Sequence, residues 1–345
     1  MSPRRASDYD ESDVRIRPSR RGSRPRSKDR PTHDDAVLGF VTAVDRGRYT
    51  VLMSAGVGGR GLPERVVMAM KARELGRKGI VVGDEVGLVG DTSGSPDALA
   101  RIVRLEPRRS VLRRTADDTD PVERVVVANA DQLVVVSALA NPEPRPRLID
   151  RCLVAAYDAG LDPLLVLTKA DLRDPAEFLE RYAPLEVPHI VTSVDTDGFE
   201  GLEALQDKLI GRVSVLVGHS GVGKSTLVNG LVPDAQRATG GVNVVTGRGR
   251  HTSTSAVALR LPGDQGWVID TPGVRSFGLA HVDLDRVIDH FPDLEPGTEQ
   301  CPRGCSHDEE ECGLDAWVAS GQAGPAGVSR LESLRRLLRA RSGED

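Results

Sequence analysis

Gly218-His219-Ser220-Gly221-Val222-Gly223-Lys224-Ser225 follows the apolar run Val213–Val217 directly, and that juxtaposition leaves few folds open to this 345-residue chain. The octapeptide has the pattern G-x-x-x-x-G-K-[ST], which works only where a buried strand ends and a helix begins. Its glycines permit a tight path that aims backbone N–H groups at phosphate oxygens. Lys224 adds a point charge for the β and γ phosphates, and Ser225 offers a hydroxyl to Mg²⁺. Together with Thr226, in the first turn of the expected helix, these residues form an expected triphosphate cradle.

The sequence around the loop alternates apolar strands with amphipathic helices. Strands are expected at 132–137, 163–168, 189–193, 213–217, 256–261 and 267–269, and helices near 147–159, 176–182, 201–209 and 224–231. Such alternation predicts an α/β domain with a mainly parallel sheet covered by helices on both faces.

Two further segments sit where the strands of such a sheet end, the edge at which ligands bind. Thr168-Lys169-Ala170-Asp171 closes the run Leu164–Leu167. A carboxylate at Asp171 accepts from both N1 and the exocyclic N2 of guanine, a donor pair that adenine lacks, while the stem of Lys169 lies along the base. This predicts GTP rather than ATP as ligand. Ser193, at the end of Pro188–Ser193, is expected to open a second loop that reaches guanine O6 through its backbone. Asp270-Thr271-Pro272-Gly273 follows the apolar Trp267–Ile269. It supplies a carboxylate for the Mg²⁺ shell and a glycine amide, Gly273, for the γ-phosphate. The polar stretch 247–255 between the P-loop and Asp270 is the expected first switch. In it Thr252 and Thr254 are both placed to ligate Mg²⁺. Where Ras-like enzymes carry a water-orienting glutamine, this chain has Val274, so water positioning passes to another group. His251 is the candidate, acting with Lys224 and Asp270 as the catalytic set.

Cys301, Cys305, His307 and Cys312 fall within a dozen residues. Three thiols and one imidazole are a tetrahedral zinc set with no open position, which predicts one structural Zn²⁺. Cys152, in an apolar helical pattern, reads as a buried small hydrophobe. Four cysteines in this length do not make a disulfide framework, and no apolar run is long enough to span a bilayer. The expectation is a cytoplasmic protein with no membrane contact, and a monomer. A formal net charge of −5 excludes a polycation that coats nucleic acid. Any RNA contact must come from local patches: Arg15 to Arg30, the group Arg108, Arg109, Arg113 and Arg114, or Arg335, Arg336, Arg339 and Arg341.

Residues 1–35 are rich in Arg, Ser, Pro and Asp and nearly lack large apolar side chains, so the expectation is a disordered tail. Short β-rich runs from Val37 to about Leu105 predict an all-β barrel of the OB type at 36–106. A linker is expected around Arg108 to Pro121. The nucleotide domain then occupies 107–280, and a small helical metal-binding domain 281–345, ending in a helix from Ser329 to about Arg341.

Read from the N-terminus, the motifs run base reader, second base loop, P-loop, switch and sensor, whereas ordinary GTPases begin with the P-loop. The order is circularly permuted. With its β-barrel before and its Cys/Cys/His/Cys group after, the chain resembles the ribosome small subunit-dependent GTPase A family over roughly Val37 to Arg341. That resemblance implies a GTPase that binds the small ribosomal subunit and its rRNA during late maturation, hydrolyses GTP to GDP under stimulation by the subunit, and contacts rRNA through barrel and zinc region. The Arg-rich tail and a slightly shorter cysteine spacing depart from the family. A rival of another class is an RNA-binding adaptor that holds GTP without useful turnover.

Overall fold

A computed structural model describes residues 33–76, 79–115, 123–194, 198–233, 256–271, 279, 282, 284–309 and 311–342. Five strands build the N-terminal barrel: β1 (Val37–Asp45), β2 (Arg48–Met53), β3 (Arg65–Lys71), β4 (Glu85–Gly90) and β5 (Ala100–Leu105). They pair in the order β1-β2-β3-β5-β4, and β4 returns to β1 through Val37↔Leu88 to Phe40↔Glu85, which closes the sheet. Only β3 and β5 run parallel; the other pairs are antiparallel. Alternate residues point inward, as a half-buried strand requires, so Val51 and Met53, Val67 and Ala69, Val86 and Leu88, and Ala100 and Ile102 fill the interior. A register shift between Val41 and Ala43 interrupts the β1–β2 ladder.

The expected linker after the barrel is part of the fold. β6 (Val111–Arg114) pairs antiparallel with β7 (Arg124–Ala128), and Leu112 between them is buried. Sequence reading passes over β6 because its four residues include two arginines and its partner lies ten or more positions away. The hairpin is tied to the barrel by Asn129 Nδ2, which donates to the Gly83 carbonyl at 2.9 Å. Arg108 adds a second tie, donating from Nε and Nη2 to the fully buried Asp84 at 2.7 and 2.8 Å.

The nucleotide domain contains, in chain order, β8 (Gln132–Ala138), α1 (Pro146–Asp158), β9 (Asp162–Thr168), α2 (Ala176–Tyr182), β10 (His189–Val191), β11 (Ser193–Val194), β12 (Phe199–Glu200), α3 (Leu202–Leu209), β13 (Arg212–Gly218), α4 (Lys224–Leu231), β14 (Val257–Arg260) and β15 (Gly266–Asp270). The sheet order is β10-β9-β8-β13-β15-β14, parallel except for β14. Period-two alternation splits each central strand between two cores. Leu133 and Val135, Leu165 and Leu167, and Val215 and Val217 face the side covered by α1. Val134 and Val136, Leu164 and Val166, and Leu216 face α3 and α4.

The C-terminal helices α5 (Leu284–Ile288), α6 (Gly313–Ala319) and α7 (Gly327–Ser342) do not form a core of their own. Leu331, Leu334, Leu337 and Leu338 of α7 and Val287 of α5 belong to the same buried cluster as Ile149, Leu153 and Tyr157 of α1. The change of sequence character near residue 281 is therefore no break in packing. At the other edge of the sheet, β14 meets barrel strand β1 at Ala43↔Val257. Arg260 of β14 binds Glu64 and stacks over Trp267.

Candidate nucleotide site and metal cluster

The parallel register brings the expected loops to one edge. Gly218 at the end of β13 lies opposite Val136 of β8, and Ala138 two residues further lies opposite Thr168 of β9. Strand ends that share a register place the following loops side by side at the same height. Gly218 is glycine for a packing reason, since a Cβ there would sit 2.6 Å from the Val136 carbonyl oxygen. Gly223 has φ +90°, a conformation that glycine adopts without strain, and it caps α4. Ser225 and Thr226 are exposed in the first turn of α4, and His219 is half-exposed.

The expected base reader and the expected phosphate loop touch. Buried Thr168 donates from Oγ1 to the Val222 carbonyl at 2.6 Å. Lys169 takes a left-handed backbone, φ +61°, and its Nζ lies on the Asn141 carbonyl of the β8–α1 loop. The Ala170 amide donates to the Thr192 carbonyl at 3.2 Å, which brings the second base loop beside the first. Ser193 is buried and donates from Oγ to Glu200 at 3.0 Å, while Asp171 is exposed at the tip of its loop. Across the P-loop, buried Lys224 forms an ion pair with Asp270, which ends β15. Thr271 Oγ1 donates to the Leu216 carbonyl at 2.6 Å and fixes the exit of β15 against β13. His251, Thr252, Thr254 and Gly273 lie outside the described residues.

In the C-terminal region the four candidate metal ligands converge, with ligand atoms all within 4.8 Å of one another. Cys301 Sγ lies 3.5 Å from His307 Nδ1 and 3.9 Å from Cys312 Sγ, and Cys312 Sγ lies 3.8 Å from His307 Nδ1. A tetrahedral cation with sulfur at about 2.3 Å and nitrogen at about 2.0 Å spaces its ligands by about 3.5–3.8 Å. The group can hold a metal with little movement. Burial pushes the Cys305 and Cys312 thiols up, so a neighbouring cation is needed to keep them as thiolates. Arg335 of α7 donates from Nε to the His307 carbonyl at 3.0 Å and is itself held by Asp315. That outer partner lies 28 residues from His307, and nothing in the linear pattern marks it.

A sequence model described as RsgA GTPase matches residues 105–280. The small ribosomal subunit biogenesis GTPase RsgA of Ectopseudomonas mendocina (strain ymp) is 39% identical over 274 residues, 77% of this chain and 76% of that one. The chain belongs to the RsgA GTPase family. An RsgA from Pseudomonas aeruginosa (strain LESB58) is 40% identical, covering 75% of both chains. Among solved structures, YjeQ from Thermotoga maritima superposes with a TM-score of 0.62 at 26% identity, over 90% of this chain and 99% of that one. YloQ, described as a circularly permuted GTPase, gives a TM-score of 0.59 at 20% identity, over 91% and 98%, and shares the fold. Membership agrees with the permuted motif order and with the OB-type barrel and Cys/His cluster that flank the GTPase sheet. Among the described residues no helix is long and apolar enough to cross a membrane.

In this RsgA-family chain six arginines of two of the groups expected as RNA patches take part in ion pairs within the molecule. Arg108 is committed to Asp84, Arg109 to Asp131 at 3.0 Å and Arg113 to Glu123 at 2.9 Å. Arg335 pairs with Asp315, Arg336 with the buried Asp150 and Arg339 with Asp308. Six arginines of these basic runs thus have acidic partners from elsewhere in the chain, and Arg109 and Arg339 remain more than half exposed. The residues from Arg15 to Arg30 lie outside the described part.

Proposed function

We propose that this chain hydrolyses GTP to GDP and phosphate in the biogenesis of the small ribosomal subunit, and that docking on the subunit and its rRNA raises its turnover. One observation carries the nucleotide part: Thr168 of the base reader is hydrogen-bonded to Val222 of the phosphate loop, so a single ligand can span both. The assignment to the small subunit rests on family membership and on the names of relatives that match three quarters of the chain.

The work of the residues follows from their chemistry. Asp171 accepts from guanine N1 and N2, with the Lys169 stem along the base and the Ser193 loop at O6. Backbone amides from Gly218 to Thr226 surround the phosphates at the N-terminus of α4. Lys224 exchanges its Asp270 partner for phosphate oxygens, which frees the Asp270 carboxylate. Ser225 and Asp270, with Thr252 or Thr254, would hold Mg²⁺, which when bound neutralises charge building on the β and γ oxygens. His251 positions the attacking water once the subunit is bound. The Gly273 amide takes the γ-phosphate. The Cys301, Cys305, His307 and Cys312 set fits one structural Zn²⁺, since four protein ligands leave no place for a substrate.

The test is GTP turnover by the purified full chain with and without small subunits. We expect strong stimulation, tighter subunit binding with a non-hydrolysable GTP analogue than with GDP, and loss of the stimulated rate but not of binding in His251→Ala. Asp171→Asn should weaken GTP binding and partly restore binding of xanthosine triphosphate. No stimulation, or equal affinity for the subunit in both nucleotide states, defeats the coupling. Stimulation that survives His251→Ala removes only the histidine.

A further inference from the structure

Asp171 sits in an exposed loop, yet reading a base edge requires its carboxylate to be held within a fraction of an ångström. The loop is anchored on both sides of it. On one side the Lys169 ammonium lies on the Asn141 carbonyl, and the Ala170 amide donates to Thr192. On the other, Arg173 Nη1 and Nη2 donate to Glu143 Oε2 and Oε1 at 2.8 and 3.0 Å. Asn141 and Glu143 both belong to the short β8–α1 segment, which no nucleotide-binding motif includes. That segment also reaches the phosphate loop, because a Cβ on Gly221 would lie 3.7 Å from Pro142 Cδ.

We propose that Glu143 and Arg173 are positioning residues for guanine specificity: their two-pronged pair fixes the far end of the Lys169–Arg173 loop, and with it the Asp171 carboxylate. A fork of two parallel N–H···O bonds fixes angle as well as distance, which a single contact does not. The Arg173 and Glu143 side chains are 47% and 69% exposed. An ion pair so exposed adds little to folding stability. Its geometric consequence is local and falls on Asp171, two residues from one prong. The proposal rests on the reading of Asp171 as the guanine acceptor.

The experiment compares GDP with IDP, which lacks the exocyclic amine and so makes only one of the two hydrogen bonds to Asp171. Equilibrium affinities are measured on the full chain for wild type, Glu143→Gln, Arg173→Ala, the reversed pair Glu143→Arg with Arg173→Glu, and Asp171→Asn. Each single clasp variant is expected to lose about two- to fivefold in GDP affinity, and clearly less for IDP. The reversed pair should recover most of the loss. Thermal midpoints should stay within about 2 °C of wild type. A GDP-to-IDP ratio unchanged in both single variants, or parallel losses for both nucleotides with a fallen midpoint, overturns the clasp. If Asp171→Asn weakens GDP while the clasp variants do not, only the clasp fails. If Asp171→Asn leaves GDP affinity unchanged, the guanine assignment beneath it fails as well.

Discussion

Thr168 Oγ1 donates to the Val222 carbonyl at 2.6 Å across 54 residues of sequence, joining the loop expected to read the base to the loop expected to hold the phosphates. Both partners are buried. Thr168→Val keeps the shape and leaves that carbonyl without its donor, so stability should fall by about 1–2 kcal/mol. GTP and GDP affinities should fall by equal factors, because the phosphate loop is common to both, and Thr168→Ser should restore them. Denaturant unfolding and calorimetric titration check this. A loss confined to GTP would place Thr168 at the γ-phosphate instead.

Lys224 and Asp270 hold one another, so phosphate binding must break an ion pair whose lysine is buried. Asp270→Asn removes that competition. Without magnesium, GDP affinity should rise by about three- to tenfold, whereas turnover with magnesium should drop by about a hundredfold or more because the metal loses a carboxylate. Affinity measured in chelator and rates measured with magnesium separate the two effects. If chelated Asp270→Asn binds GDP no better than wild type, the pair does not compete with the nucleotide.

Arg108 covers the Asp84 carboxylate at the barrel's junction with the β6–β7 hairpin, and Asp84 also accepts from the Val81 amide at 2.8 Å. Arg108→Met leaves a buried carboxylate with the amide as its remaining partner. The expected cost is about 3–5 kcal/mol in chemical unfolding, with nucleotide affinity preserved in the protein that stays folded. Asp84→Asn in the same background should return part of the loss. A change below about 1 kcal/mol would show that solvent reaches the carboxylate.

Removing the metal should be felt beyond its loop. α7 buries Leu331, Leu334, Leu337 and Leu338 in the core shared with α1, and its Arg335 grips the His307 carbonyl. Chelation or Cys305→Ala should therefore lower the midpoint of the main unfolding transition, and metal analysis should find one zinc per chain. Two separate transitions, with the nucleotide-stabilised one unmoved, would show that the C-terminal region unfolds by itself.

Much of the nucleotide site is legible from local pattern. The P-loop must join strand to helix wherever it occurs, and α2 (Ala176–Tyr182) and α4 (Lys224–Leu231) have the bounds that their sequences indicate. The clasp between Glu143 and Arg173 is not legible, because 30 residues separate two surface charges that would suit any solvated face. The ion-pair partners of the arginine groups are hidden in the sequence for the same reason. A run of like charge shows its own sign, while the acids that neutralise it, Asp84, Asp131, Asp150 and Asp308, come from other elements.

The sequence alone determined the α/β class, the permuted motif order, the barrel and the four clustered candidate metal ligands, since each is written in periodicity or in spacing between neighbours. Tertiary structure decided that residues beyond 281 share the core of the sheet, that β6 is a strand, and that Lys224 rests on Asp270 and Arg335 on His307. Those outcomes depend on which surfaces meet after the chain has doubled back. Hydrophobic burial carries no label for its partner, so a leucine stripe such as that of α7 says that it must be covered and leaves the covering face to the packing of the whole molecule.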